Sequence, residues 1–260
     1  MPSFADHLSD PLVKVMLTGE SKSGKTGLLA TLANSDEIDR MVVFDFDNGL
    51  DVLASYLKPA AVKKVFYQTF DRFSDKAYED ARALMKHWKT ATEDLGPLAK
   101  FGPRDCVIVD SGTFFGDACM AAAKKKNGID KDTQIAQAVW GDAQAMFLKV
   151  VDAFTSDKLP CHLIWNTHLR MLEDPLRKTM KAFPETVGSK LSGRIARSFN
   201  NLWLVDVKPD GKRVIRTQAT SFMTLGSSAP TVLAAEEDFD LGKIFKKIRE
   251  ANTRLAAAAE

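Results

Sequence analysis

The chain has 260 residues, 45% of them hydrophobic and 27% charged, so disorder is excluded as a global description and a sizeable core is expected. Its 36 basic and 34 acidic side chains leave a net charge of +2, which excludes a protein that coats nucleic acid by bulk charge. No stretch approaches the roughly 18 consecutive apolar residues of a membrane span, and the acid-bearing start MPSFADHLSDPLVK is unlike a secretory signal.

In chain order, residues 12–18 (LVKVMLT) are a predicted strand, followed by a glycine-rich turn and a predicted helix over 25–33 (KTGLLATLA). Residues 41–46 (MVVFDF) and 64–68 give two further strands. Residues 74–92 carry helical spacing, with Ala77, Ala81, Leu84, Met85 and Trp88 on one face. Gly96, Pro97, Gly102 and Pro103 punctuate a loop. Residues 106–109 (CVIV) are wholly apolar, as in a strand buried on both faces of a parallel sheet. Helices are expected over 117–126 and 133–154, around a lysine-rich turn.

A strand at 161–165 (CHLIW) leads into Asn166, Thr167 and His168. Residues 170–193, with two prolines, two glycines and many charges, read as a loop, and 195–199 as a short helix. Residues 202–207 and 213–217 flank Pro209-Asp210-Gly211-Lys212, a turn sequence that predicts a hairpin. A C-terminal amphipathic helix over 239–255 clusters Phe239, Ile244, Phe245 and Ile248. Alternating strands and helices predict an α/β fold, a mostly parallel sheet sandwiched by helices with an antiparallel hairpin at one edge. The division expected is a short lead (1–11), a main domain (12–235), and the C-terminal helix and tail (236–260).

Residues 19–26 read GESKSGKT and fit the GxxxxGK[ST] phosphate loop, placed between a predicted strand and a predicted helix. Backbone N–H groups of Gly19, Glu20, Ser21, Lys22, Ser23, Gly24, Lys25, Thr26 and Gly27 would converge on an anion at the helix N-terminus. Lys25 is placed to reach the β- and γ-phosphates, and Thr26 to ligate Mg²⁺ through its hydroxyl. A random chain of this length matches the pattern about one time in a hundred, so ATP and Mg²⁺ are the expected ligands.

Three strand ends carry polar groups. Asp110 follows CVIV as in the Walker B pattern and is the second expected magnesium residue; the plainer alternative is a carboxylate capping the next segment. Asp45 and Asp47 share one side if their strand stays extended, and either could orient the attacking water, or the run could simply be a turn. Asn166 and His168 both qualify as contacts to the γ-phosphate, and His168 has the longer reach. Cys106, Cys119 and Cys161 have no CxxC pairing and the four histidines no metal-ligand spacing, so buried thiols and a cytoplasmic setting are expected.

Together these pieces resemble a RecA-type ATPase core. FDFDNGLD is similar to the RecA phrase in which an acidic residue two places after Asp is the catalytic carboxylate; the resemblance gives that role to Asp47, where RecA carries Glu. More closely, the chain resembles phage-encoded RecA-like proteins, among them single-strand-annealing ATPases, through GESKSGKT, FDFDNGLD, VIVDSGT, the segment Ala138-Val139-Trp140-Gly141-Asp142, NTHLR, PETVGSKLSGRIARSF and RVIRTQ. The resemblance spans residues 12–224. It implies Lys25, Asp47 and His168 as catalytic residues and DNA-linked ATP hydrolysis in recombination or replication, in the host cytoplasm. It also implies single-stranded DNA, further copies of the chain and a single-stranded-DNA-binding protein as partners.

In such folds the loops after the Walker B and sensor strands face DNA, here 124–133 and 170–197. The second holds Arg170, Arg177, Lys178, Lys181, Lys190, Arg194 and Arg197 against three acids. The first six are the candidate DNA-binding residues, with Phe183 as a stacking candidate; a merely solvated loop is the alternative. Residues 170–216 hold eleven basic and five acidic side chains, +6 against −4 for the remainder. Arg194, Arg197 and Arg216 are equal candidates for an arginine finger. Two competing functions stay open: a small-molecule kinase with residues 170–197 as its lid, and a non-hydrolysing, nucleotide-dependent assembly protein.

Overall fold

The computed structural model describes residues 12–129, 135–174 and 178–259. The expected N-terminal lead, the start of the helix placed at Thr133, and Arg177 lie outside the described residues.

The elements run β1 (Lys14–Gly19), α1 (Lys25–Ala33), β2 (Arg40–Asp45), α2 (Leu50–Tyr56), α3 (Pro59–Val62), β3 (Val65–Thr69) and α4 (Ala77–Lys86). A small hairpin, β4 (Trp88–Lys89) and β5 (Asp94–Gly96), precedes β6 (Asp105–Asp110), α5 (Gly112–Lys126) and α6 (Gln137–Thr155). Then come β7 (His162–Thr167), β8 (Leu169–Asp174), β9 (Thr179–Pro184) and α7 (Ser189–Ser192). The chain continues through β10 (Asn201–Val207), β11 (Arg213–Arg216), β12 (Glu236–Asp238) and α8 (Leu241–Ala259).

Eight strands form one sheet in the order β12-β11-β10-β1-β7-β6-β2-β3. The pairings from β10 to β3 are parallel, and β11 and β12 add antiparallel at one edge. Side chains alternate across a strand, and both faces here are apolar. Met16, Phe44, Val107, Val109, Leu163 and Trp165 pack beneath α4, α5 and α6. Val15, Leu17, Val43, Ile108, Ile164 and Trp203 pack against α1 and α8. Covering both faces is what allows a parallel sheet with unbroken apolar strands. Residues 236–259 share this framework: β12 pairs with β11, and Leu241, Ile244, Phe245 and Ile248 of α8 enter the same core as α1.

Two expected segments are corrected. The helix read over 74–92 ends at Lys86, because Trp88 turns into the core, edge-on to Phe44 at 5.0 Å between centroids, and starts the β4–β5 hairpin. Residues 170–193 are no open loop. β8 and β9 pair antiparallel from Leu169↔Pro184 to Asp174↔Thr179, and α7 follows. Strand pairing hides behind the prolines and charges there, because the hairpin stands apart from the main sheet and shows no clean polar–apolar alternation.

Candidate nucleotide site

β1, β2, β6 and β7 all end at one edge of the sheet, where ligands of open α/β folds bind. Between β1 and α1 the loop turns on two glycines. A Cβ on Gly19 would stand 2.7 Å from the Val205 carbonyl oxygen. Gly24 has φ +101°, a conformation side chains disfavour. Lys25 Nζ lies inside the loop and donates to the Gly19 carbonyl at 2.9 Å and the Glu20 carbonyl at 2.8 Å. Burial lowers its pKa to about 8, against the pull of Asp110, Asp47 and Glu20.

Thr26 Oγ1 donates to Asp110 Oδ2 at 2.8 Å, and Asn166 Nδ2 donates to the other carboxylate oxygen at 3.0 Å. Burial raises the Asp110 pKa to about 6; these two hydrogen bonds oppose the rise, and the Asp47 and Asp45 charges add to it. Asp110 is therefore mostly ionised at neutral pH. The donor set suits Mg²⁺: a hydroxyl and a carboxylate, hard oxygens already in contact, with a second carboxylate facing the same cavity.

Asp45 and Asp47 do not share a side. β2 stops at Asp45, whose buried carboxylate accepts from the Asp47 and Asn48 backbone N–H groups at 3.2 and 2.8 Å and from Thr69 Oγ1 at 3.0 Å. Burial raises its pKa, and its lone pairs are spent on the turn. That turn swings Asp47 into the cavity. Asn166 is wholly buried and touches Asp110, whereas His168 lines the cavity. Three elements fix the His168 backbone: its N–H donates to Thr113 Oγ1 at 2.9 Å, and its carbonyl accepts from Thr18 Oγ1 at 3.3 Å and Glu185 N at 2.8 Å. Burial foremost, then Lys25, depresses the imidazole pKa, so the ring is neutral at pH 7.

Lys25, Thr26, Asp47, Asp110 and His168 all line one cavity of about 740 Å³. Asn34, Val52, Tyr56, Arg213 and Phe239 also line it and add aromatic and apolar surface of the kind a base needs. Sequence reasoning missed these residues. Arg213 donates to the Ser23 carbonyl at 3.1 Å and lies 5.9 Å from the Phe239 ring centroid. Only the β1–β10–β11 pairing brings it there, and no local motif marks it.

Of the arginines named as finger candidates, Arg216 is held by Asp206 at 2.6 Å and Glu236 at 3.3 Å, while Arg194 and Arg197 are exposed. The described DNA-binding candidates do not converge on the nucleotide cavity. Arg170 lies on β8, Lys181 on β9, Lys178 at the hairpin turn with φ 54°, and Lys190 on α7. Arg170 and Lys190 line a second cavity.

The profile of the AAA domain family matches residues 12–224. No curated protein matches the chain. Among solved structures, the assembled ATPase EscN with its central stalk EscO, from the type III secretion system of enteropathogenic E. coli, aligns with a TM-score of 0.51 and 12% identity over 94% of this chain and 52% of that one. A prototypical type III secretion ATPase of pathogenic bacteria aligns at TM-score 0.45 and 12% identity, over 75% of this chain and 51% of that one. The RadB recombinase aligns at TM-score 0.43 and 18% identity, over 82% and 84%. The chain spans about half the length of the two secretion ATPases, and the likeness to EscN is one of fold.

Proposed function

The chain belongs to the AAA domain family, and from that premise we propose that it is a Mg²⁺-dependent ATPase whose hydrolysis of ATP to ADP and phosphate is coupled to binding of single-stranded DNA. The observation that carries the hydrolytic half is the meeting of Lys25, Thr26, Asp47, Asp110 and His168 in one cavity. Thr26 and Asp110 would hold Mg²⁺, which when bound offsets charge on the β- and γ-phosphates.

The chain's own groups do the rest. Loop N–H groups and Lys25 bind the phosphates, and Lys25 exchanges the Gly19 and Glu20 carbonyls for phosphate oxygens. Asp47 orients and deprotonates the attacking water. Neutral His168 donates a hydrogen bond to the γ-phosphate, and loss of that group on hydrolysis frees it. The chain passes from His168 directly into β8, and this continuity supports a link from the γ-phosphate to the basic hairpin. The coupling to DNA rests on that continuity and on the charge of residues 170–216. The sequence phrases shared with phage RecA-like proteins support recombination or replication as the setting, with further copies of the chain and a single-stranded-DNA-binding protein as partners.

Phosphate release with and without single-stranded DNA tests the proposal. A DNA-stimulated rate supports it. A phosphorylated metabolite in place of free phosphate points to a kinase, and ATP binding without turnover to an assembly protein.

A further inference from the structure

The motif around Trp140 has no part in the nucleotide cavity, yet it builds a second one. This cavity, about 490 Å³, lies between the first turn of α6, strand β8 and the start of α7. Its volume falls within the roughly 300–1,000 Å³ of small-ligand sites. Trp140 is 38% exposed, whereas Trp88, Trp165 and Trp203 are fully buried in the core. Part of the Trp140 indole is thus open to solvent at the cavity.

Gly188 packs against the ring and against Gln144. It has φ +81°, and a Cβ there would stand 3.4 and 3.5 Å from Trp140 Cε3 and Cζ3 and 3.0 Å from Gln144 Nε2. Gln137 and Gln144 supply amides that both donate and accept. Arg170 and Lys190 supply two cations, and among the described residues no carboxylate lines the cavity. Among the described residues neither cation is held in an ion pair. By contrast, in another surface cavity Lys125 is spent on Asp75 at 2.7 Å.

An exposed aromatic face, two amides and two unopposed cations match one unit of a single strand: a base to stack, base edges to hydrogen-bond, and flanking phosphates. We propose that this pocket holds one base of single-stranded DNA stacked on Trp140, with Arg170 and Lys190 on the adjacent phosphates. The inference rests on the DNA coupling proposed above and gives it an address. Arg170 stands two residues beyond His168, so the same short segment serves both cavities.

Trp140 reports on its own site, because the Trp140→Phe variant supplies the background emission of the buried indoles. An oligothymidylate is titrated against the full chain, beside an oligomer of equal length with abasic sugars. Base stacking expects quenching of the Trp140 emission by the thymidine oligomer and not by the abasic one. Trp140→Ala should weaken thymidine binding about tenfold, Trp140→Phe much less, and abasic binding should be equal in all three. Arg170→Ala with Lys190→Ala should lower the salt slope by roughly 1.4, as for two single-strand phosphates. Undiminished emission and unchanged Trp140→Ala affinity, with the oligomer bound, would overturn the pocket and leave DNA coupling standing. No binding of either oligomer would overturn both. An acidic peptide that quenches Trp140 where oligothymidylate does not would reassign the pocket to a protein partner.

Discussion

The two cavities hold charge in opposite ways. In the nucleotide cavity the two central charges are held by neutral partners: Lys25 by loop carbonyls, Asp110 by Thr26 and Asn166. Burial shifts the Lys25 and Asp110 pKa values toward neutrality from opposite sides. Around Trp140, half-buried Arg170 and exposed Lys190 have no carboxylate opposite them among the described residues. A desolvated network is sensitive to single atoms and little affected by salt, whereas exposed cations act through the ionic atmosphere. The first arrangement suits chemistry and the second a long polyanion.

The largest expected effect is at the centre of the buried network. Lys25→Ala should abolish ATP binding in a calorimetric titration, and wild-type-like affinity would remove the phosphate-loop assignment. Asp47→Asn comes next. It should leave ATP affinity intact and cut turnover by about 10²-fold or more. Unchanged phosphate release would move the base elsewhere, since Asp45 is committed to its turn.

The pH dependence separates the two regions further. Lys25, with a pKa of about 8 in the empty cavity, binds phosphate as the ammonium. The lysine pKa therefore rises on binding, the lysine takes up a proton from solution near pH 8, and affinity falls as pH rises past 8. At pH 9 the loss should approach about tenfold relative to pH 7. Calorimetry in buffers of different ionisation enthalpy measures that uptake; no proton exchange would contradict the buried-lysine account. The smallest effect is on the hairpin: Lys178→Ala with Lys181→Ala should weaken DNA binding modestly and flatten its salt dependence, while ATP affinity stays unchanged. An unaltered salt slope would make β8–β9 a merely solvated hairpin.

Much of the buried region was legible in the sequence. GESKSGKT, CVIVD and CHLIWNT announce themselves because a parallel sheet needs unbroken apolar strands, and chemistry sits where they end. Asp45 and Asp47 could not be separated, because the division depends on where β2 stops and on Thr69 from a neighbouring strand. Nor could Arg213 be found, since its place beside Ser23 comes from strand order alone. The hairpin was misread because its strands pair with each other outside the main sheet, and only short stretches such as Leu169 and Ala182 pack on the core. Trp140 was visible as a motif, but its neighbours at the second cavity, Arg170, Gly188 and Lys190, come from far along the chain.

The claim that joins the two regions is that ATP turnover answers to DNA. The direct measurement is the steady-state rate of phosphate release with Mg²⁺ and saturating ATP, before and after adding single-stranded DNA at low salt. The rate should rise with DNA, and the rise should vanish in Asp47→Asn. A rate that DNA leaves unchanged, while the oligomer is demonstrably bound, would contradict it.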